Sequence, residues 1–117
     1  MNIIIKATNL DLTPSITKYI ELRIGMLDKF IKKFEQNDEA EAVVEIARNS
    51  KHHKHGDVYF AEVNLHIGGV IIRAEHSNED IRAAIDGVKD TLRNEIVKFK
   101  EKLPVKKDIV RKAKRGE

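Results

Sequence analysis

Cysteine is absent from these 117 residues, and so is tryptophan. Without cysteine no disulfide and no thiolate zinc site can form. That fits the cytoplasm, where the chain is expected to reside. Proline occurs twice, and the aromatic residues are four Phe and two Tyr. Several of these rings fall at core-like spacing, which leaves little for a sheet face that stacks bases. No apolar run exceeds a few residues, so no membrane span is expected, and MNIIIKATN does not read as a signal peptide. The length fits one domain, which can bury roughly two-thirds of its unfolded surface without staples.

Charge is present in quantity but unevenly placed. The formal net charge is +3, and an excess of cations suggests a polyanion partner. Residues 104–117 hold six Lys/Arg and two Asp/Glu, whereas residues 1–103 hold 16 basic and 17 acidic residues. The folded domain is therefore read as 1–103, with 104–117 a basic and flexible tail. Any interface on the domain must depend on which face its charges occupy.

Periodicity gives the element order. Asn2 to Ala7 is a β-branched run and reads as a strand. Thr13-Pro14 marks a helix start, Thr as N-cap and Pro at the first helical position. Ile16, Ile20, Ile24, Leu27, Ile31 and Phe34 then keep helical period, with Tyr19 and Phe30 on the flank. Ala42 to Arg48 reads as a strand. In Val58 to Ile67, Ala61, Val63, Leu65 and Ile67 alternate with Phe60, Glu62, Asn64 and His66. Gly68-Gly69 reads as a hairpin turn into a returning strand. The longest amphipathic stretch is Ser77 to Leu103, with Ile81, Ile85, Val88, Leu92, Ile96, Phe99 and Leu103 on one face. Ser77 and Asp80 suggest a capping box at its start, and Pro104 its end.

The order is βαβββα, an α+β class. A helical crossover should set the first two strands parallel, and the last three should form an antiparallel meander. Two helices with one apolar stripe each should cover one face of a four-stranded mixed sheet. Glu62, Asn64, His66, Arg73 and Glu75 should face water on the other. Gly25 and Gly87 fall on the non-apolar sides of their helices, where a glycine either admits a close backbone approach or reflects sequence drift, and drift is the favoured reading.

The stretch ITKYIELRIGMLDKF after Thr13-Pro14, and YFAEVNLHIGGVIIRAEHSNEDIRAAIDGVKDTL, resemble the ribosome hibernation-promoting factors, also called ribosome-associated inhibitors. Most specific are Asp80, Ala83, Ala84, Ile85, Asp86 and Leu92. The resemblance covers about residues 2–103 and implies a fold like that of double-stranded-RNA-binding domains. It also implies a partner, the small ribosomal subunit and its ribosomal RNA. Relatives bind in the cleft that messenger and transfer RNA would occupy, and stop translation in stationary phase or stress. The chain ends at Glu117, so it reads as a short member or a single-domain piece, expected to be a monomer when free.

The same resemblance implies RNA-binding positions. On the first helix these are Arg23 and Lys29, with Met26 between them where relatives often have Lys. On the long helix the family row falls on Thr91, Asn94, Lys98 and Lys102, of which Lys98 and Lys102 are basic. Spacing alone reveals a second row. Arg82, Lys89, Arg93 and Lys100 stand 7, 4 and 7 apart, which puts them on one stripe roughly 80° from the apolar one. A-form RNA is read through shape and backbone, which suits such rows.

Other chemistry is set aside. His52, His53 and His55 lie in KHHKH, with His66 and His76 elsewhere, but without cysteine no metal site is assigned. Asp80 serves the helix start, and Asp86, with Arg82, Lys89 and Asp90 around it, reads as a mixed surface patch rather than half of an acid/base pair. Gly68-Gly69 joins two strands, so it is not a phosphate loop. No enzyme and no cofactor is expected. The alternatives to a ribosome-binding inhibitor are a general double-stranded-RNA binder, and a protein-interaction module marked by an apolar patch at Phe60 and Ile71.

Overall fold

A computed structural model describes residues 1–32, 39–49, 56 and 58–102. Strand β1 (Asn2–Thr8) leads to helix α1 (Pro14–Gly25) and a single further turn, α2 (Asp28–Ile31). Strands β2 (Glu41–Asn49), β3 (Val58–Ile67) and β4 (Val70–Asn78) follow, then helix α3 (Ile81–Glu101). The sheet order is β1-β2-β3-β4, with β1 parallel to β2 and the other pairs antiparallel. This is the four-stranded mixed sheet with helices on one face that the sequence predicts. Expectations for the KHHKH loop, Phe34, the break at Gln36, the stop at Pro104 and the tail lie outside the described residues.

Alternation decides which face is covered. Ala42, Val44 and Ile46 of β2, Ala61, Val63, Leu65 and Ile67 of β3, and Ile72 and Ala74 of β4 are buried. They meet Ile16, Ile20 and Ile24 of α1, Leu27 and Ile31 beyond it, and Ala84, Ile85, Val88, Leu92 and Ile96 of α3. No polar or charged residue is buried among the described residues. Each fully buried Ile, Leu or Val contributes about 1.5–3 kcal/mol against staying in water. The β3–β4 hairpin turns through Gly68 and Gly69, both at positive φ (51° and 84°), where a side chain would strain the backbone.

Three local expectations are corrected. The first helix does not run unbroken towards Phe34. It ends at Gly25, and the chain tightens, with Leu27 N–H donating to Ile24 O at 3.0 Å and Phe30 N–H to Leu27 O at 2.9 Å. Glycine is a poor helix former, yet the tightened turn keeps Leu27 and Ile31 facing the core. Ser77 is not the cap of the long helix. It pairs with Phe60 in the sheet, and Asp80 caps α3 instead, accepting from Arg82 N–H at 3.2 Å. Strand pairing continues to Asn78 and so postpones the helix.

The third correction concerns Gly87. A Cβ there would overlap the imidazole ring of His76. The glycine is therefore a packing requirement between α3 and β4, not drift. Gly25, by contrast, has open space where its Cβ would be.

Candidate nucleic-acid interface

The groove between α1 and α3 is built by residues one step off each apolar stripe. Tyr19 and Arg23 precede Ile20 and Ile24 on α1, and Arg82, Asp86 and Arg93 follow Ile81, Ile85 and Leu92 on α3. At about 100° per residue, such neighbours sit on the flank of the buried face. On two helices lying side by side on a sheet, the facing flanks meet.

At one end the hub is Tyr19. Its hydroxyl donates to both carboxylate oxygens of Asp86, at 2.7 and 2.8 Å. Arg23 Nε lies 3.2 Å from the same carboxylate, and the Arg82 guanidinium donates to Ser15 Oγ at 2.8 Å. Both guanidiniums lie against the Tyr19 ring, 5.1 and 5.2 Å from its centre. Arg23 Nε is shielded from water and poorly aligned with its acceptor, so charge more than a directed hydrogen bond holds the pair. The Tyr19 side chain as polar partner, and after it the charge of Asp86, raise the Arg23 guanidinium above its ordinary value.

At the other end the hub is Phe30, half-buried against the core. Lys29 Nζ, Lys100 Nζ and the Arg93 guanidinium carbon lie 5.3, 5.6 and 5.7 Å from its ring centre. Tyr19 and Phe30 are eleven residues apart, and so are Arg82 and Arg93. On α3 eleven residues make about three helical turns, roughly 16 Å, which returns Arg93 to the side of Arg82, and the tightened turn after Gly25 leaves Phe30 beside it.

The Sigma 54 modulation protein / S30EA ribosomal protein family model matches residues 3–104. The chain belongs to this family. It is similar to a ribosome hibernation promotion factor from Picosynechococcus, 31% identical over 103 residues that cover 87% of this chain and 50% of that protein. A ribosome hibernation promoting factor from Klebsiella oxytoca is 27% identical over 103 residues, 88% of this chain and 97% of that protein. The chain thus spans about half the length of one and nearly all of the other. The crystal structure of the Thermus thermophilus Protein Y N-terminal domain has a TM-score of 0.67 at 29% identity, over 85% of this chain and 99% of that one.

Within this family fold the eight basic residues singled out in the sequence fall into four groups. Arg23 and Arg82 meet at Tyr19, and Lys29, Arg93 and Lys100 at Phe30. Lys89, between the two ends, pairs with Asp90 at 3.0 Å. Lys98 and Lys102 do not join them. They lie roughly 160° round α3 from that stripe, where Lys98 pairs with Glu95 at 3.3 Å and Lys102 is exposed at the helix end. Sequence reasoning missed the roles of Tyr19, Phe30, Ser15 and Asp86. Asp86 is a cross-helix acceptor, not part of a local patch. The available signal was the position of both aromatic residues on the helix flank.

Among the described residues no helix is long and apolar enough to cross a membrane, and no cluster of His, Asp and Glu has the geometry to hold a metal.

Proposed function

We propose that the chain binds the small ribosomal subunit through ribosomal RNA and holds it out of translation, in the cleft that messenger and transfer RNA would otherwise occupy. The observation that carries this reading is the row of cations along the α1–α3 groove, on an S30EA-family domain. Arg23, Lys29, Arg82, Lys89, Arg93 and Lys100 line it, and Lys98 and Lys102 widen the footprint on the opposite flank. Cations in a row can neutralise successive phosphates, and release of counterions then supplies affinity without base readout.

The opposite side of the domain supports the orientation. On the open sheet face Glu45, Glu62 and Glu75 stand directly opposite one another across β2, β3 and β4. Like charges so paired are unfavourable within the sheet and repel a polyanion. Phe60 and Ile71 do not form one apolar patch there. Ile71 pairs with His66, six residues along β3 from Phe60, roughly 20 Å away. The protein-interaction reading therefore loses its sign.

The domain of 1–103 carries this binding as a monomer, and the basic segment 104–117 adds attraction to RNA. The test is competition. Chain bound to purified small subunits should resist displacement by a plain RNA duplex and should inhibit translation in a reconstituted extract. Displacement by duplex at equal concentration would instead favour a general double-stranded-RNA binder.

A further inference from the structure

The sheet has one covered face and one open one, and none of the described residues on the open face is buried. The register sets Lys6, Glu45, Glu62 and Glu75 side by side across β1, β2, β3 and β4. Glu41 and Arg73 stand in neighbouring rows, so the face carries four glutamates against one lysine and one arginine. Glu45 accepts from Thr8 Oγ1 at 2.8 Å, and Arg73 Nε donates to Asn64 Oδ1, also at 2.8 Å. Among the described residues no ion pair reaches Glu45, Glu62 or Glu75, and Glu62 and Glu75 have no hydrogen-bond partner either.

Carboxylates placed directly opposite one another destabilise a sheet, and cations laid across the row relieve that repulsion. The chain itself carries such cations. Residues 104–117, PVKKDIVRKAKRGE, hold six Lys/Arg and two Asp/Glu. The α1–α3 groove, lined by cations, repels this segment, whereas the open face attracts it. Neighbouring strands are about 4.8 Å apart, so the three carboxylates span about 10 Å. Arg111 to Lys114, when extended, cover about the same length.

The segment is long enough to reach the face. Helix α3 packs on β4, and after the Glu79-Asp80 connection it runs back along that strand. Its 21 residues make about 31 Å and the 9 of β4 about 30 Å, so α3 ends beside the Gly68-Gly69 hairpin. Because β4 is an edge strand, the way from there to the open face passes round one strand only. Glu75 stands about 17 Å along β4 from Val70. Residues 104–117 extend to about 48 Å at most. The tether also holds their cations at a millimolar effective concentration.

We propose that the basic segment 104–117 lies across the open sheet face of its own chain, with its lysines and arginines against Glu45, Glu62 and Glu75. The contact occupies the segment until RNA phosphates compete for it, and in that respect it rests on the RNA reading above. The free chain then meets RNA with the groove alone, and the segment adds its attraction after release.

Because the chain has no cysteine, the substitution A113C gives a single site for a nitroxide spin label on the segment. The full chain is enriched in 15N, and broadening of each backbone amide signal by the label is read by NMR. The amides of Glu62 and Glu75 should broaden at least about twice as much as those of Leu22 and Asn94, which lie on the outer sides of the helices. Salt at about 1 M, where the Debye length falls to about 3 Å, should remove the difference. The variant E45Q/E62Q/E75Q should remove it at low salt. Equal broadening on both sides of the domain, or broadening along the α1–α3 groove, overturns the contact. So does a difference that survives both salt and the triple variant. If that variant does not fold, the salt series alone decides.

Two further arms fix the occupant and its release. Spin-labelled chain without 15N is mixed with unlabelled chain carrying 15N. Broadening at Glu62 in that mixture assigns the contact to a second copy and overturns the contact within one chain. A short RNA duplex is then added to the labelled 15N chain, and the Glu62 and Glu75 signals should sharpen. Signals that stay broad while duplex is bound overturn the exchange. A duplex that fails to bind counts against the RNA reading, and the face contact then stands or falls on the salt series.

Discussion

The Tyr19 hydroxyl donates to Asp86, 67 residues away in sequence, and so closes α1 onto α3 beside two arginines. The sheet face of each helix is apolar and non-directional. This hydrogen bond gives the pair of helices a fixed register, and with it a fixed geometry for the groove.

Tyr19→Phe and Asp86→Asn should each lower stability by about 1 kcal/mol, since a hydrogen bond to a charged group contributes about 1.5–3 kcal/mol and this one is partly open to water. Tyr19→Phe removes the donor and Asp86→Asn the charge of its acceptor, so both weaken the same contact, and the double variant should cost clearly less than the two single losses added together. Urea midpoints for the four proteins measure this. Full additivity would show that the contact contributes nothing.

Gly87→Ala and Gly25→Ala should move stability in opposite directions. Alanine is favoured over glycine in a helix by about 1 kcal/mol, and at the open Gly25 position that gain should appear in part. At Gly87 the new methyl meets the His76 ring, and overpacking of this kind costs about 1–3 kcal/mol. Thermal unfolding reads both. Shortening His76 to Ala in the Gly87→Ala background should recover much of the loss.

Met26→Lys should strengthen RNA binding. Met26 is 45% exposed at the end of α1, so the change should alter stability by no more than about 0.5 kcal/mol. One added phosphate contact should steepen the salt slope by about 1. Filter binding to small subunits at several salt concentrations measures it. No change in slope would place Met26 outside the interface.

The sequence made the fold legible wherever a period ran long enough. The alternation from Ala61 to Ile67 and the stripe from Ile81 to Ile96 identify the faces that the structure buries. Boundaries were less legible, because Ser77 can cap a helix or pair with Phe60, and only the sheet decides. Of the candidate site, the stripe of Arg82, Lys89, Arg93 and Lys100 could be read from spacing. Its partners could not. Which carboxylate meets which cation across the groove depends on how α1 and α3 sit on the sheet, and Asp86 looks locally as well served by Arg82 and Lys89 as by Tyr19 and Arg23. Gly87 was opaque for the same reason, since His76 reaches it on α3 from strand β4.

The most direct test of the account is the binding isotherm of the wild-type chain with purified small ribosomal subunits as salt is raised. The account predicts saturable binding of one chain per subunit, with the logarithm of affinity falling linearly against the logarithm of salt by about 0.7–0.9 for each phosphate neutralised. Absence of binding at low salt, or an affinity that does not respond to salt, would contradict it.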